Sequence, residues 1–311
     1  MSVLNCFLDL IYPPISNQEG VWFWEDEEVR EYVKRSKLYM LVHRKELKFI
    51  NIDNELLVKG IFKFKISLGE FASEYFSFQF TDDISAFVEE NISVEFEIGD
   101  KLFRIIRTSD AKIIYWATPD KILYDAITKR IILDSENVHD IEVLQNFELL
   151  YVGISKKNDS FSRLFENAHR GRLNILSNQD TKEKTARMTD ELMILLFEVK
   201  WFNINCVSCA DDLNSLFTYT DDEEAIVADA EKAFISMFGT KYNKVKYKEY
   251  PKSADGLYNK GLQGYLYSIN YDLKIFVGQN EFIGKYYDYV NRDVIFVQND
   301  NVRNINSKKG N

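Results

Sequence analysis

The chain has 311 residues, 46% of them hydrophobic and 14% aromatic, which is enough apolar material for one large domain or two smaller ones. Its formal net charge of −10 argues against loose nucleic-acid binding over the whole surface, although a local basic groove stays compatible with it. The three cysteines, the lack of an apolar run of about 20 residues and the N-terminus without a basic segment predict a cytoplasmic protein with no disulfide framework, membrane span or signal peptide.

Residues 1–110 predict a β-rich N-terminal domain. Residues 24–42 read as a charged helix followed by a strand, and residues 59–71 alternate apolar and polar side chains as a half-buried strand does. Residues 92–108 form two alternating runs around a Gly-Asp pair, which is typical of a hairpin. Because this part contains no chemical motif, we expect it to be structural or to bind a protein partner or a second copy of the chain.

Residues 111–250 change to short strands alternating with helices, which indicates a compact α/β unit. Residues 251–311 carry glycine-punctuated strand patterns and a polar tail, and predict a β-rich extension. The fold class expected for the whole chain is therefore α+β. The elements predicted in the middle region are strands at 111–118, 129–134, 147–155 and 191–204 and helices at 159–176 and 222–238.

The helix predicted over residues 222–238 places an acidic side chain among apolar ones. At about 100° per residue, Glu231 falls inside the apolar stripe, between Val227 and Ile235. A carboxylate there loses hydration and needs an arginine, backbone donors or a metal ion to compensate. The alternative is a glutamate at the edge of the stripe that reaches back to water.

The helix predicted over residues 159–176, with Asp159 or Ser160 as its N-cap, carries a polar stripe. Its members Arg163, Asn167 and Arg170 recur at helical spacing. Two arginines on one line can grip a phosphate, because the guanidinium fork matches phosphate oxygens. A solvated basic face is the other interpretation.

A second candidate site lies at Cys206 and Cys209, whose spacing is that of zinc ligands. The chain has no second cysteine pair and contains three histidines. The sequence therefore gives this zinc site little support.

In chain order, these pieces resemble the GIY-YIG nuclease family over roughly residues 130–250. The Tyr-Val-Gly run at 151–153 is similar to the family's Tyr-Ile-Gly strand end, and Arg163 to its helix arginine. The stretch EKAFISMFGTKYN, residues 231–243, is similar to its closing Glu-x-x-Leu-Ile helix that ends in Tyr-Asn. The resemblance implies a small α/β nuclease domain.

Some positions depart from the family pattern. The opening Gly-Ile-Tyr strand is not visible, and the place of its tyrosine holds His139, with Tyr115 and Tyr124 as further candidates. The histidine that some members carry one turn after the arginine is displaced to His169, a position that suits packing, capping or catalysis. Thr240 stands where the family usually has proline.

The resemblance implies a metal-dependent DNA endonuclease, with Mg²⁺ or Mn²⁺ held by Glu231. An arginine would hold the scissile phosphate, while Tyr151 or His139 would take a proton from the attacking water. The implied catalytic residues are Tyr151, Arg163, Glu231, His139 and His169. The implied substrate-binding residues are Gly153, Lys156, Lys157, Asn167, Arg170 and Asn243, the last of them bracing the site.

Two other classes of function compete with the nuclease. The missing Gly-Ile-Tyr strand and the acidic charge favour a catalytically inactive module of the same fold that binds nucleic acid or protein. The acidic charge alone favours a protein–protein adaptor. The composition, rich in Asn, Lys, Phe, Ile and Tyr, is typical of an AT-rich microbial or phage genome, where a nuclease would suit restriction or phage defence.

Overall fold

A computed structural model describes residues 2–80, 93–166, 168–205 and 222–305. Strand exceeds helix, at about 37% against 25%, so the chain is a sheet-rich mixture of α and β structure, as the sequence predicted. The chain divides into two compact units. Unit 1 comprises Met1–Arg44, Asn146–Thr181 and Ala186–Asn311, and unit 2 comprises Lys45–Gln145 and Lys182–Thr185.

These units do not follow the predicted boundaries at residues 110 and 250. The helix and strand expected within residues 24–42 do form, but their strand joins the sheet of unit 1. Unit 2 is therefore an insertion between strands that pair with one another. Sequence periodicity detects each strand but not its partner, because pairing is a tertiary contact.

Eighteen strands lie within the described ranges, and they are labelled in chain order. They are β1 (Ser2–Leu10), β2 (Ile15–Ser16), β3 (Leu38–His43), β4 (Leu47–Ile50), β5 (Ile61–Leu68), β6 (Phe71–Ala72), β7 (Phe76–Gln79), β8 (Val94–Ile98), β9 (Phe103–Arg107), β10 (Lys112–Ala117), β11 (Asp134–Ser135), β12 (Asn146–Ile154), β13 (Leu192–Asn205), β14 (Gly264–Asn270), β15 (Leu273–Val277), β16 (Asn280–Gly284), β17 (Val294–Gln298) and β18 (Asn301–Ile305).

The helices of the same ranges are labelled in the same way. They are α1 (Asn17–Phe23), α2 (Glu27–Val33), α3 (Asn54–Leu57), α4 (Pro119–Ile127), α5 (His139–Leu144), α6 (Ser160–Phe165), α7 (Arg170–Asn178), α8 (Met188–Glu191) and α9 (Glu223–Phe238). None of them is long and apolar enough to cross a membrane.

Unit 1 is built on one large sheet with the order β16-β15-β12-β3-β13-β1-β14-β17-β18, and β2 adds to β13. The centre of the sheet is buried, because all six residues of β3 and the first six residues of β13 are inaccessible to solvent. Helix α9 packs on β12, and its Phe234 ring meets Phe282 of β16 at 5.4 Å. The strand β12 is therefore covered by the helix that carries Glu231.

Unit 2 contains two small antiparallel sheets, β10-β9-β8 and β11-β7-β5-β4. The predicted hairpin is confirmed as β8 and β9, and the alternating strand as β5. Stacked phenylalanines fill the core; the Phe62 and Phe103 rings, for example, lie 4.4 Å apart. Alternation alone was enough to predict these strands, because one face of each is buried.

In the middle region, one predicted strand does not form and one helix was not predicted. Residues 129–134 do not form the expected strand; only Asp134 and Ser135 pair, with β7. The sequence analysis also missed α4, although Thr118 caps it and Pro119 opens its first turn, which is a recognised start signal. Residues 129–134 contain a short apolar run, and the periodicity of so short a run does not establish a strand.

Candidate functional site

The candidate site begins with two neighbouring strands of the large sheet. Strands β3 and β12 pair antiparallel, with Tyr39 opposite Gly153. A Cβ atom on Gly153 would lie 2.4 Å from the Tyr39 hydroxyl and 2.7 Å from Cε1 of Tyr151. Glycine is needed here because any side chain would displace these two rings. Gly153, predicted to bind substrate, lets the backbone of β12 approach Tyr39 and Tyr151 closely.

A directed chain of hydrogen bonds reaches these tyrosines. His169 caps α7, its Nδ1 accepting from the backbone N–H of Arg172 at 2.9 Å. Burial, followed by the charges of Arg163 and Arg172, lowers the pKa of His169 to about 4. The imidazole is therefore neutral at pH 7 and carries its proton on Nε2, which donates to the Tyr39 hydroxyl 2.7 Å away. Tyr39 in turn donates to Tyr151, which favours the ionised form of Tyr151.

Arg163 extends this series of hydrogen bonds toward the surface of the protein. It lies on α6, which begins after the Asp159 cap, and its Nε donates to the Tyr39 hydroxyl at 3.3 Å. Burial raises the pKa of Tyr39 above its usual range, Tyr151 adds to the rise, and Arg163 opposes it. For Tyr151, burial and then Glu231 raise the pKa, while Tyr39 and Arg163 oppose the rise. The two phenols thus lie between one cation and one carboxylate.

Glu231 is the carboxylate of this group. The helix α9 forms where predicted, with Asp222 as its N-cap, and the Glu231 side chain is partly buried rather than directed into bulk solvent. Burial raises its pKa to about 7, against the lowering effects of Lys232, Arg163 and Lys156. It accepts no hydrogen bond from any side chain or amide in the described part of the chain. Burial has removed part of the hydration of this carboxylate, and no protein hydrogen bond from the described residues replaces it.

Asn243 holds α9's C-terminal loop to β12. Its Nδ2 donates to the Val152 carbonyl at 2.7 Å, and its Oδ1 accepts from the Val152 N–H at 2.9 Å. Thr240 adds a hydrogen bond from Oγ1 to the same Oδ1 at 2.7 Å. Asn243 is buried, and these bonds hold the loop after α9 to the backbone of β12. Its place among the substrate-binding residues stays a prediction. Thr240 is part of the same hydrogen-bonded arrangement.

Two lysines and an aspartate stand beside Glu231. Asp255, from the C-terminal part of unit 1, accepts from Lys232 Nζ at 2.9 Å and from Lys156 Nζ at 3.0 Å. Lys232 is buried, whereas Lys156 and Asp255 are more than half exposed. The hydrogen bond from Lys232, followed by that from Lys156, lowers the pKa of Asp255 to about 2. Asp255 therefore stays ionised and raises the pKa of Glu231 slightly, while it neutralises charge that a phosphate would otherwise meet.

The predicted polar stripe of Arg163, Asn167 and Arg170 does not exist as one helix face. The segment forms two helices, α6 and α7, because His169 caps the second one. Arg163 joins the site, whereas Arg170 is exposed at the start of α7. Asn167 lies outside the described residues.

The remaining candidates belong to unit 2, are exposed or lie outside the described residues. His139 belongs to unit 2, where its side chain is 80% exposed and its Nδ1 lies 3.5 Å from Glu142 on the same helix. Tyr115 and Tyr124 also belong to unit 2. Lys157 is exposed in the loop after β12. Cys206 and Cys209 lie outside the described residues.

Sequence reasoning missed Tyr39, Lys232 and Asp255. Tyr39 precedes Arg163 by 124 residues, whereas the candidates for the opening tyrosine, His139, Tyr115 and Tyr124, lie much closer to it in the sequence. A local signal did exist, because Leu38 and Tyr39 open a fully buried strand directly after a charged helix. Lys232 looked like an ordinary neighbour of Glu231, and Asp255 carried no motif.

The group suits a divalent cation in one respect. Mg²⁺ commonly binds proteins through one or two carboxylates and keeps waters or substrate oxygens in its other positions. Glu231 supplies one partly buried carboxylate without hydrogen-bond donors. Within residues 2–80, 93–166, 168–205 and 222–305, no cluster of three or more His, Cys, Asp or Glu side chains could hold a metal alone. Any cation here would therefore share its ligands between Glu231, water and a bound anion.

Comparisons with known proteins found no relative of this chain, so the proposed function is argued from these residues. No protein-family model matches the chain. No curated protein and no solved structure matches it either.

Proposed function

We propose that this protein is a metal-dependent endonuclease that hydrolyses phosphodiester bonds in DNA. The observation that carries the proposal is the position of Glu231, a partly buried carboxylate with a raised pKa that lies beside Tyr151 and Arg163. Perturbed titratable groups gathered in this way are typical of functional sites. A purely structural glutamate at this position would instead be expected to form an ion pair or a capping bond.

The pairing of β3 with β12 supports the resemblance to GIY-YIG nucleases. Leu38 and Tyr39 provide a tyrosine strand antiparallel to the Tyr-Val-Gly strand, as the family's opening strand requires. Unit 2 then reads as an insertion between these two strands. Arg163, Glu231 and Asn243 follow in the family's order.

In the proposed reaction, each residue has a role that its contacts support. Arg163, exposed on one side and anchored to Tyr39 on the other, would bind the scissile phosphate and offset charge that accumulates on it. A cation bound at Glu231 would stabilise the same charge and the leaving oxygen. Asn243 would keep β12 and the loop after α9 in register.

Tyr151 is the best candidate for the base. It is partly exposed, whereas Tyr39 is fully buried and cannot meet an attacking water without rearrangement. The hydrogen bond donated by Tyr39 and the charge of Arg163 both favour the Tyr151 phenolate. Tyr39 and His169 are accordingly positioning residues.

An inactive binding module with the same fold is the second candidate. The observation that favours it is the pKa of Tyr151, which burial and Glu231 raise in the absence of substrate. A phenol with a raised pKa is a poor base at neutral pH. This candidate predicts DNA binding without turnover in any divalent metal.

The test is incubation of supercoiled plasmid with Mg²⁺ or Mn²⁺ and three proteins: wild type, Glu231→Gln and Glu224→Gln. Glu224 is exposed in the first turn of the same helix, so its variant is a matched control. We expect the wild type and Glu224→Gln to cut and Glu231→Gln to lose at least about a hundredfold in rate. Equal cutting by Glu231→Gln would remove this residue from the mechanism, and binding without cutting would favour the second candidate.

A further inference from the structure

A lysine-rich loop follows the Asn243 brace. Residues 244–252 are here called the lysine loop. All of them except Pro251 line a pocket of about 590 Å³ together with Lys232 of α9. The charged residues around this pocket are Lys232, Lys244, Lys246, Lys248, Lys252 and Glu249. With five cationic side chains and one anionic side chain, the lining of this pocket is positively charged, whereas the whole chain has a net charge of −10.

The lysines of this pocket differ in what they already bind. Lys246 is half-buried and donates to the Thr240 carbonyl, which ties the loop to the end of α9. Lys232 is occupied by Asp255 and the Ala228 carbonyl, and Lys252 pairs with Asp300. Two lysines remain.

Lys244 and Lys248 are both exposed. Neither Nζ has a hydrogen bond or ion pair to any residue that the structure describes. They stand four positions apart, on either side of the anchoring Lys246. The loop thus has a fixed middle and two cations free to bind an external anion.

Tyr247 links this pocket to Glu231. Its ring lies 5.7 Å from Lys232 Nζ, and burial, followed by the charge of Glu231, raises its pKa. Its backbone adopts a left-handed conformation, with φ of 47°, which is uncommon for an aromatic residue. Residues whose backbone is held in such uncommon conformations cluster at functional sites. The pocket is therefore lined by Lys232, the residue that follows Glu231 on α9, and by Tyr247, whose pKa Glu231 raises.

We propose that the lysine loop is a binding surface for the phosphate backbone of DNA, contacted by Lys244 and Lys248 beside the cleavage site. This inference rests on the proposed function for its choice of polyanion. Lysine ammonium groups bind phosphates as point charges, and each such contact releases counterions from DNA. A local surface of this kind explains how an acidic protein binds an acidic polymer.

The test measures binding separately from cleavage. Fluorescence anisotropy with a labelled 20-base-pair duplex, in EDTA and over a range of NaCl concentrations, compares wild type with the double variant Lys244→Glu/Lys248→Glu. The control is Lys59→Glu/Lys129→Glu in unit 2, where both lysines are exposed and have no described side-chain partner. Both double variants change the net charge equally, so long-range effects are matched.

We expect the lysine-loop variant to bind at least about tenfold more weakly and its slope of log K against log salt to become shallower by about two. The control should stay within about twofold of wild type. Equal affinities for the two double variants, no duplex binding by wild type, or equal competition by polyglutamate would each overturn the proposal. Lysine-dependent binding without cleavage in Mg²⁺ would instead count against the nuclease alone.

Discussion

The hydroxyl of Tyr39 lies 2.7 Å from Nε2 of His169, although 130 residues separate the two in the chain. Both side chains are buried. Because His169 Nδ1 accepts from the Arg172 N–H, the proton lies on Nε2 and is donated to Tyr39. Tyr39 and Tyr151 then connect the interior of the sheet to the carboxylate of α9. Removing either partner therefore tests the arrangement directly.

Tyr39→Phe leaves the His169 Nε2–H buried without its acceptor. Because an unsatisfied buried donor costs about 1–3 kcal/mol, we expect the free energy of unfolding to fall by about that amount in urea denaturation. Tyr151→Phe should cost less stability, since Tyr151 is only partly buried, but should abolish cleavage. Equal destabilisation by both variants would contradict the directed chain of hydrogen bonds.

Gly153→Ala should disrupt the site more than Gly171→Ala. The added Cβ would lie 2.4 Å from the Tyr39 hydroxyl in the first case and 3.0 Å from ring atoms of His169 and Tyr151 in the second. Overpacking in a tight site costs about 1–3 kcal/mol, so we expect Gly153→Ala to fall in this range and Gly171→Ala below it. Thermal unfolding of both variants, with near-ultraviolet circular dichroism of the tyrosines, provides the measurement. A larger loss of stability for Gly171→Ala than for Gly153→Ala would show that Tyr39 does not pack tightly against β12.

Asn243→Ala removes both hydrogen bonds to the Val152 backbone. Two buried backbone groups then lack partners, and we expect a loss of about 2–4 kcal/mol in the free energy of unfolding. Asn174→Ala, at an exposed position on α7, is the control and should change stability by less than about 0.5 kcal/mol. Similar small effects of both substitutions would mean that the loop after α9 is not held by this amide.

Glu231→Gln should stabilise the protein at alkaline pH while it removes activity. The folded-state pKa of Glu231, about 7, lies above the ordinary value of 4.5. Between these values the folded protein binds more protons than the unfolded chain, so this group's contribution to stability falls as pH rises from about 4.5 to 7. We expect nearly equal stabilities of the two proteins at pH 5 and an advantage of about 2 kcal/mol for Glu231→Gln at pH 8.

Urea denaturation at the two pH values measures this difference, with Glu224→Gln as the control that should show no pH-dependent gain. A gap between wild type and Glu231→Gln that stays constant with pH would mean that burial does not perturb this carboxyl.

Asp255→Asn should lower the pKa of Glu231 below about 7. The substitution removes a negative charge that raises this pKa and leaves Lys232 and Lys156, which lower it, without their shared partner. The expected result is that the acid limb of the cleavage profile, and a ¹³C NMR titration of the Glu231 carboxyl, both move to lower pH. Asp288→Asn, at an exposed turn with its own local hydrogen bonds, is the control. An unchanged titration would place Asp255 outside the electrostatic environment of Glu231.

The sequence by itself determined the local elements of this protein. Helical spacing predicted α9 and the position of Glu231 among apolar residues. Alternation predicted β5 and the β8–β9 hairpin, and a long, mainly apolar run predicted β13. These features depend on neighbours within a few positions, and one buried face is enough to impose them. The predicted helix over residues 159–176 failed where a side-chain cap at His169 competed with helix continuation.

Only the tertiary structure decided which strands pair and which side chains meet. Tyr39 reaches Gly153 and His169 across the whole of Lys45–Gln145, and Asp255 returns from the C-terminal part of unit 1 to join Lys156. The entropy cost of closing a loop grows only with the logarithm of its length, so a long insertion between paired strands is tolerated and leaves no periodic trace in the sequence. The site is therefore a product of long-range burial, which local patterns do not encode.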